Sequence, residues 1–172
     1  MILNNTIKKA SLLLKNNNIE SHLLDAELII SNILGVSREF LITNDKLSIS
    51  KKDVQKYNKA IKRRINNEPV AYITGKKEFW SEDFLVNYGT LIPRPETEMM
   101  IYHIVNYFKN KKANILDIGT GSGCIIISVL KERPQCTAKA IDISSEAIKI
   151  AKTNAKLHHL ENKINFINID VD

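Results

Sequence analysis

Cysteine is nearly absent from this chain. The two present, Cys124 and Cys136, cannot form a disulfide framework, and both are expected as thiols in a reducing cytoplasm. No run of 18 apolar residues occurs, so no transmembrane helix is expected. The first residues lack the charged, apolar and small-residue order of a secretory signal. The four histidines, His22, His103, His158 and His159, share no metal-ligand spacing, and no metal is expected. Acidic charge is in modest deficit, at a net +6. That permits an acidic or nucleic-acid-linked partner without requiring one. Glycine is also scarce. Of six glycines in 172 residues, three cluster at Gly119, Gly121 and Gly123.

That cluster lies in NILDIGTGSGC, Asn114 to Cys124. An apolar run (Ile115, Leu116, Ile118) carries Asp117, breaks at the glycines and resumes at Cys124 to Val129. The pattern predicts a buried strand, a tight turn and a helix. Alternate glycines let backbone approach a ligand closely. A helix start then offers N–H groups with no intrahelical partner. A dinucleotide fingerprint places its third glycine at the sixth position. Here that position is Cys124, and the glycine comes one residue early. This spacing disfavours a nicotinamide-dependent dehydrogenase. A second acid, Asp142, ends the apparent strand TAKAID and follows Gly119 by 23 residues. An acid at about that distance suits a ribose diol, since one carboxylate can accept from two hydroxyls. Cys124, at a helix start, could have a lowered pKa. The reading preferred here is a small buried core cysteine.

Upstream, the chain reads as helices. Ile7, Ala10, Leu13 and Leu14 recur at helical spacing and stop at Asn16 to Asn18. Leu23 to Leu34 forms a second apolar face with Gly35 as its terminator. Ser50 and Asp53 suggest a capping box for a third helix, with Val54, Tyr57, Ile61 and Ile65 on one face and Lys52, Lys56, Lys59 and Arg63 on the other. Pro69 closes it. Glu78 to Trp80 and Phe84 to Val86 flank Ser81-Glu-Asp83 as a β-hairpin. In LIPRPETE, Pro93 and Pro95 stiffen an extended approach, and Glu96 and Glu98 fall in a first helical turn. Ser144 or Ser145 should cap a helix from Glu146 to Leu157, and Ile164 to Ile169 should be a third strand, ending at Asp170.

The segments PVAYITGKKEFW, LIPRPETE and ILDIGTGSGCI, in that order, resemble the HemK/PrmC family of protein-(glutamine-N5) methyltransferases acting on peptide chain release factors. The glycine pattern with its preceding acid is similar to motif I of class I S-adenosylmethionine-dependent methyltransferases. The resemblance implies an α/β fold: a helical substrate-recognition domain (1–75), a linking hairpin (76–95), then the first half of a Rossmann-like methyltransferase domain (96–172). It implies S-adenosylmethionine as cofactor, held by Gly119, Thr120, Gly121, Ser122, Gly123 and Asp142, with Asp170 and Val171 on the adenine side. Pro93, Arg94, Pro95 and Glu96 become substrate-side candidates. Release factors are the implied partners, with a role in translation termination and no membrane.

The family's acceptor motif, Asn-Pro-Pro-Tyr, does not occur in this sequence. In the family it follows the fourth strand and accepts hydrogen bonds from the glutamine amide. Its expected place is beyond Asp172, the last residue here, so no catalytic residue is expected within this chain. The chain therefore reads as the N-terminal part of such an enzyme, cut after its third core strand and inactive by itself. Strand Asn114 to Ile118 would then have an open edge. Two other readings stay open. One is a nucleic-acid N-methyltransferase, to which the basic helix would lend phosphate contacts. The other is a non-catalytic binding fragment.

Overall fold

The computed structural model describes residues 1–171. Asp172, the end of the expected methyltransferase segment and the point past which the acceptor motif is expected, lies outside the described residues. The chain divides into two compact units, residues 1–74 and Gly75 onward.

The first unit is helical: α1 (Leu3–Lys15), α2 (His22–Leu34), α3 (Arg38–Thr43), α4 (Lys51–Ile65) and α5 (Val70–Thr74). α1 buries Leu3, Ile7, Ala10 and Leu14, one stripe at helical spacing. α2 ends at Gly35, whose φ of +66° is the left-handed cap conformation. Ser50 caps α4 by accepting from Asp53 N at 3.1 Å, and Asp53 Oδ2 takes the Ser50 hydroxyl at 2.7 Å. The return bond thus goes to the hydroxyl, unlike that of a full capping box. Val54, Tyr57 and Ile61 are buried, whereas Ile65 is only half-buried; Lys52, Lys56, Lys59 and Arg63 are exposed. Tyr57 donates to Ala26 O at 3.0 Å, so its buried hydroxyl has a partner. Burial, with the nearby charge of Glu27, raises the Tyr57 phenol pKa.

The second unit begins with a hairpin, β1 (Lys76–Phe79) and β2 (Glu82–Leu85), joined by Trp80 and Ser81. This corrects the sequence expectation, which put the turn at Ser81 to Asp83. Trp80 and Ser81 have φ of +53° and +58°. Positive φ at both central residues is the twist-matched two-residue hairpin turn, usually made with Asn-Gly. Here other groups hold it: Trp80 N donates to Glu98 Oε1 at 2.9 Å, and the Trp80 indole donates to Glu132 Oε1 at 3.0 Å.

A 3₁₀ turn (Pro95–Thr97) leads into α6 (Glu98–Tyr107). Then come β3 (Asn114–Ile118), α7 (Cys124–Glu132), β4 (Thr137–Asp142), α8 (Ser145–Leu157) and β5 (Ile164–Asn168). The strands form a parallel sheet in the order β3-β4-β5. The core gathers Ile126, Ile127, Leu130, Ala138 and Ile164 with Phe79 and Phe84 of the hairpin and Ile101 of α6. Among the described residues β3 pairs with β4 alone, and Leu116 and Ile118 stand 56% and 60% exposed. No described helix is long and apolar enough to cross a membrane.

Candidate cofactor site

In a parallel sheet with helical crossovers, ligands sit outside the carboxyl ends of the strands. Pairing of Ile118 with Ile141 and of Asp142 with Asn168 brings those ends of β3, β4 and β5 side by side. The glycine loop follows β3 there. Gly119 and Thr120 both donate their amides to Ile141 O, at 2.9 and 3.0 Å, which ties the loop to the end of β4. Gly119, Gly121 and Gly123 have φ of +73°, +56° and +79°.

The three glycines differ in what surrounds them. A Cβ on Gly119 or Gly121 would meet nothing within 4 Å, so the backbone there faces open space. A Cβ on Gly123 would lie 3.2 Å from Ala151 Cβ and 3.1 Å from Ile127 Cδ1. Gly123 therefore serves close packing of the loop on α8, while the other two leave room for a ligand.

Asp142 is half-buried and meets this loop directly. Its Oδ2 accepts from Gly121 N at 2.8 Å, and its Oδ1 accepts from Ser144 N at 2.9 Å. Each oxygen keeps a further lone pair for a ligand hydroxyl. Ser144 caps α8 by accepting from Ala147 N at 3.2 Å, which settles the choice between Ser144 and Ser145. Asp117, at the end of β3, accepts the Thr120 hydroxyl at 2.7 Å. Burial raises its pKa; the Thr120 bond opposes that rise, and the charge of Asp142 adds to it. Burial likewise pushes the Cys124 thiol up. Cys124 is thus a core cysteine and not an activated thiolate.

Thr120, Ser122 and Gly123 are buried, Gly121 is half-buried and Gly119 is exposed. Asp170 and Val171 are exposed beyond β5. The segment before them is anchored to Asp142: Ile169 N donates to Asp142 O at 3.2 Å. Asn168 Nδ2 donates to both Asp142 O and Ile143 O at 2.8 Å. Asn168 escaped the sequence reading because one amide at a strand end carries no pattern. Pro93 is buried, whereas Arg94, Pro95 and Glu96 are exposed. Among the described residues no group of three or more His, Cys, Asp or Glu is placed to hold a metal ion.

The profile of the PrmC N-terminal domain matches residues 5–75, and that of the methyltransferase small domain matches 96–172. The chain is 40% identical over 163 residues to the release factor glutamine methyltransferase of Buchnera aphidicola subsp. Baizongia pistaciae, covering 94% of this chain and 58% of that protein. It is 43% identical over 140 residues to the enzyme of the same name from Coxiella burnetii, covering 81% and 50%. The chain thus spans between half and three fifths of these relatives' length. Among solved structures, a SAM-dependent methyltransferase from Agrobacterium tumefaciens aligns at 20% identity and a TM-score of 0.47, over 55% of this chain and 32% of that one. The open glycine backbone and the doubly held Asp142 fit S-adenosylmethionine, the cofactor of the matched methyltransferase domain.

Proposed function

This chain belongs to the HemK/PrmC family, and we propose accordingly that the protein carrying it methylates the glutamine side-chain amide in the Gly-Gly-Gln tripeptide of peptide chain release factors. The observation that carries the proposal is the meeting of Gly121 and Asp142 at the carboxyl end of the sheet, in a chain whose residues 5–75 match the PrmC N-terminal profile. The name these relatives carry, release factor glutamine methyltransferase, supplies the substrate class.

When bound, S-adenosylmethionine supplies a methyl group on a sulfonium, an electrophile without need of a metal. This chain's residues then have binding and orienting roles. The open backbone at Gly119 and Gly121 admits the ligand closely. Asp142 accepts from the ribose diol while Gly121 N and Ser144 N fix its orientation. Asp170 and Val171, anchored through Asn168 and Ile169, border the adenine side. Arg94, Pro95 and Glu96, exposed at the start of the 3₁₀ turn, are offered to the acceptor, with Pro93 buried just before them. An amide nitrogen is a poor nucleophile, so catalysis depends on positioning and exclusion of water. The acceptor clamp, Asn-Pro-Pro-Tyr in the family, is not among these residues, and the 172-residue chain alone is proposed to be inactive.

The test uses the full-length protein that contains this chain, labelled S-adenosylmethionine, and a release factor or a structured RNA in parallel. Mass spectrometry should place one methyl group on the Gly-Gly-Gln glutamine and none on the RNA. Methylated RNA with an unmodified release factor would replace this reading by the nucleic-acid one.

A further inference from the structure

Asn154 is fully buried in the last turn of α8. A buried side-chain amide is costly unless bonded, and this one is bonded on both ends. Its Oδ1 accepts from Leu85 N at 2.8 Å, and its Nδ2 donates to Leu85 O at 3.0 Å. The same Nδ2 donates to Ser122 O at 2.8 Å. One amide thus pairs both backbone groups of the last residue of β2, as a neighbouring strand would. At the same time it holds the carbonyl between Gly121 and Gly123.

The rest of α8 continues the contact. Glu146 accepts from Asn87 Nδ2 at 3.1 Å. Ala151 faces Gly123. The His158 ring bonds Asp83 O at 3.0 Å and stacks near Phe84 at 4.8 Å between centroids. Residues 147, 151, 154, 155 and 158 follow one helical stripe, and the three alanines in it allow close approach. α8 therefore touches the glycine loop and the hairpin along this stripe, and through Glu146 in its first turn the segment leading toward Arg94.

We propose that Asn154 is a positioning residue that locks the hairpin to the glycine loop, so that cofactor binding at the loop orders Leu85 and the chain following it toward the acceptor side. This rests on the cofactor reading above. A residue that only filled the core would stabilise the unit without linking the two segments. Asn154 instead bonds backbone on both, and the link must act in both directions.

Hydrogen exchange on the 172-residue chain, with and without S-adenosylmethionine, tests the proposal. In the wild type the ligand should slow exchange across 119–123 and also at the Leu85 amide. Asn154→Ala should abolish the Leu85 response and weaken ligand affinity about tenfold, the scale of one lost hydrogen bond. Ile164→Val, a core truncation on β5, should lower thermal stability and leave both ligand effects intact. No slowing at 119–123 in the wild type would sink the cofactor reading, and this inference with it. Slowing at 119–123 without slowing at Leu85 would overturn the inference alone, as would an Asn154→Ala chain that keeps the Leu85 response. The wild-type Leu85 result decides even if the variant fails to fold.

Discussion

Gly121 donates its backbone N–H to Asp142 Oδ2 across 2.8 Å, joining residues 21 apart in sequence at the carboxyl end of a parallel sheet. The glycine supplies approach and the carboxylate supplies acceptors, and each fixes the other.

The glycines of the loop should separate by variant. A Cβ at Gly121 meets no atom within 4 Å, but valine there must adopt φ near +56°, a genuine outlier for a branched residue. Strain of about 1–2 kcal/mol and a side chain in the open space should abolish cofactor binding without unfolding the chain. Gly123→Ala adds contacts at 3.1 and 3.2 Å to similar strain, so it should lose more stability than Gly121→Ala. Thermal unfolding and calorimetry with S-adenosylmethionine check both. Unchanged affinity in Gly121→Val would remove that residue from the site.

Asp117 should give a pH signature. Burial raises its pKa in the fold, so the folded chain holds that proton more tightly than the unfolded one. Such a group favours folding at low pH, and its contribution is lost as pH rises through the folded value. Asp117→Asn keeps an acceptor for Thr120 and has no charge to bury. Its unfolding midpoint should gain on the wild type as pH rises above the ordinary carboxylate range, where the wild type must give up that proton or bury the charge. A gap independent of pH would contradict this.

In the helical unit, Arg64 Nε lies 2.7 Å from Asp25 Oδ2, which also accepts from Ser21 at 2.8 Å. Asp25 is 5% exposed. Arg64→Ala would leave that carboxylate buried with only a hydroxyl, at a cost of about 3–5 kcal/mol in urea unfolding. The double variant Asp25→Leu with Arg64→Met should recover most of it. A loss of about 0.5 kcal/mol or less would mark the pair as an ordinary surface contact.

What could be read from sequence follows local chemistry. Gly35, Ser50 and Ser144 act at helix ends through their own backbone or hydroxyl, so the α2, α4 and α8 boundaries were legible. The glycine loop and Asp142 were legible because spacing along one chain maps onto one sheet edge. The hairpin turn was not, because Trp80 and Ser81 hold positive φ through Glu98 and Glu132, far away in sequence. The short helices α3 and α5 are too brief to show a period. Asn154 carries no signal in the sequence, since a polar residue in a helix announces burial only when its partners are seen.

Whether Asp142 and the glycine loop form one S-adenosylmethionine site is decided by calorimetry on the 172-residue chain and its Asp142 variants. Asp142→Ala removes both carboxylate oxygens and should weaken binding by about 1.5–3 kcal/mol, the scale of hydrogen bonds to a charged group. Asp142→Asn, which keeps one acceptor but cannot satisfy both Gly121 N and Ser144 N, should fall between the two, and NAD should not bind to any of them. Equal affinity of wild type and Asp142→Ala for S-adenosylmethionine, or binding of NAD in its place, would contradict a shared site.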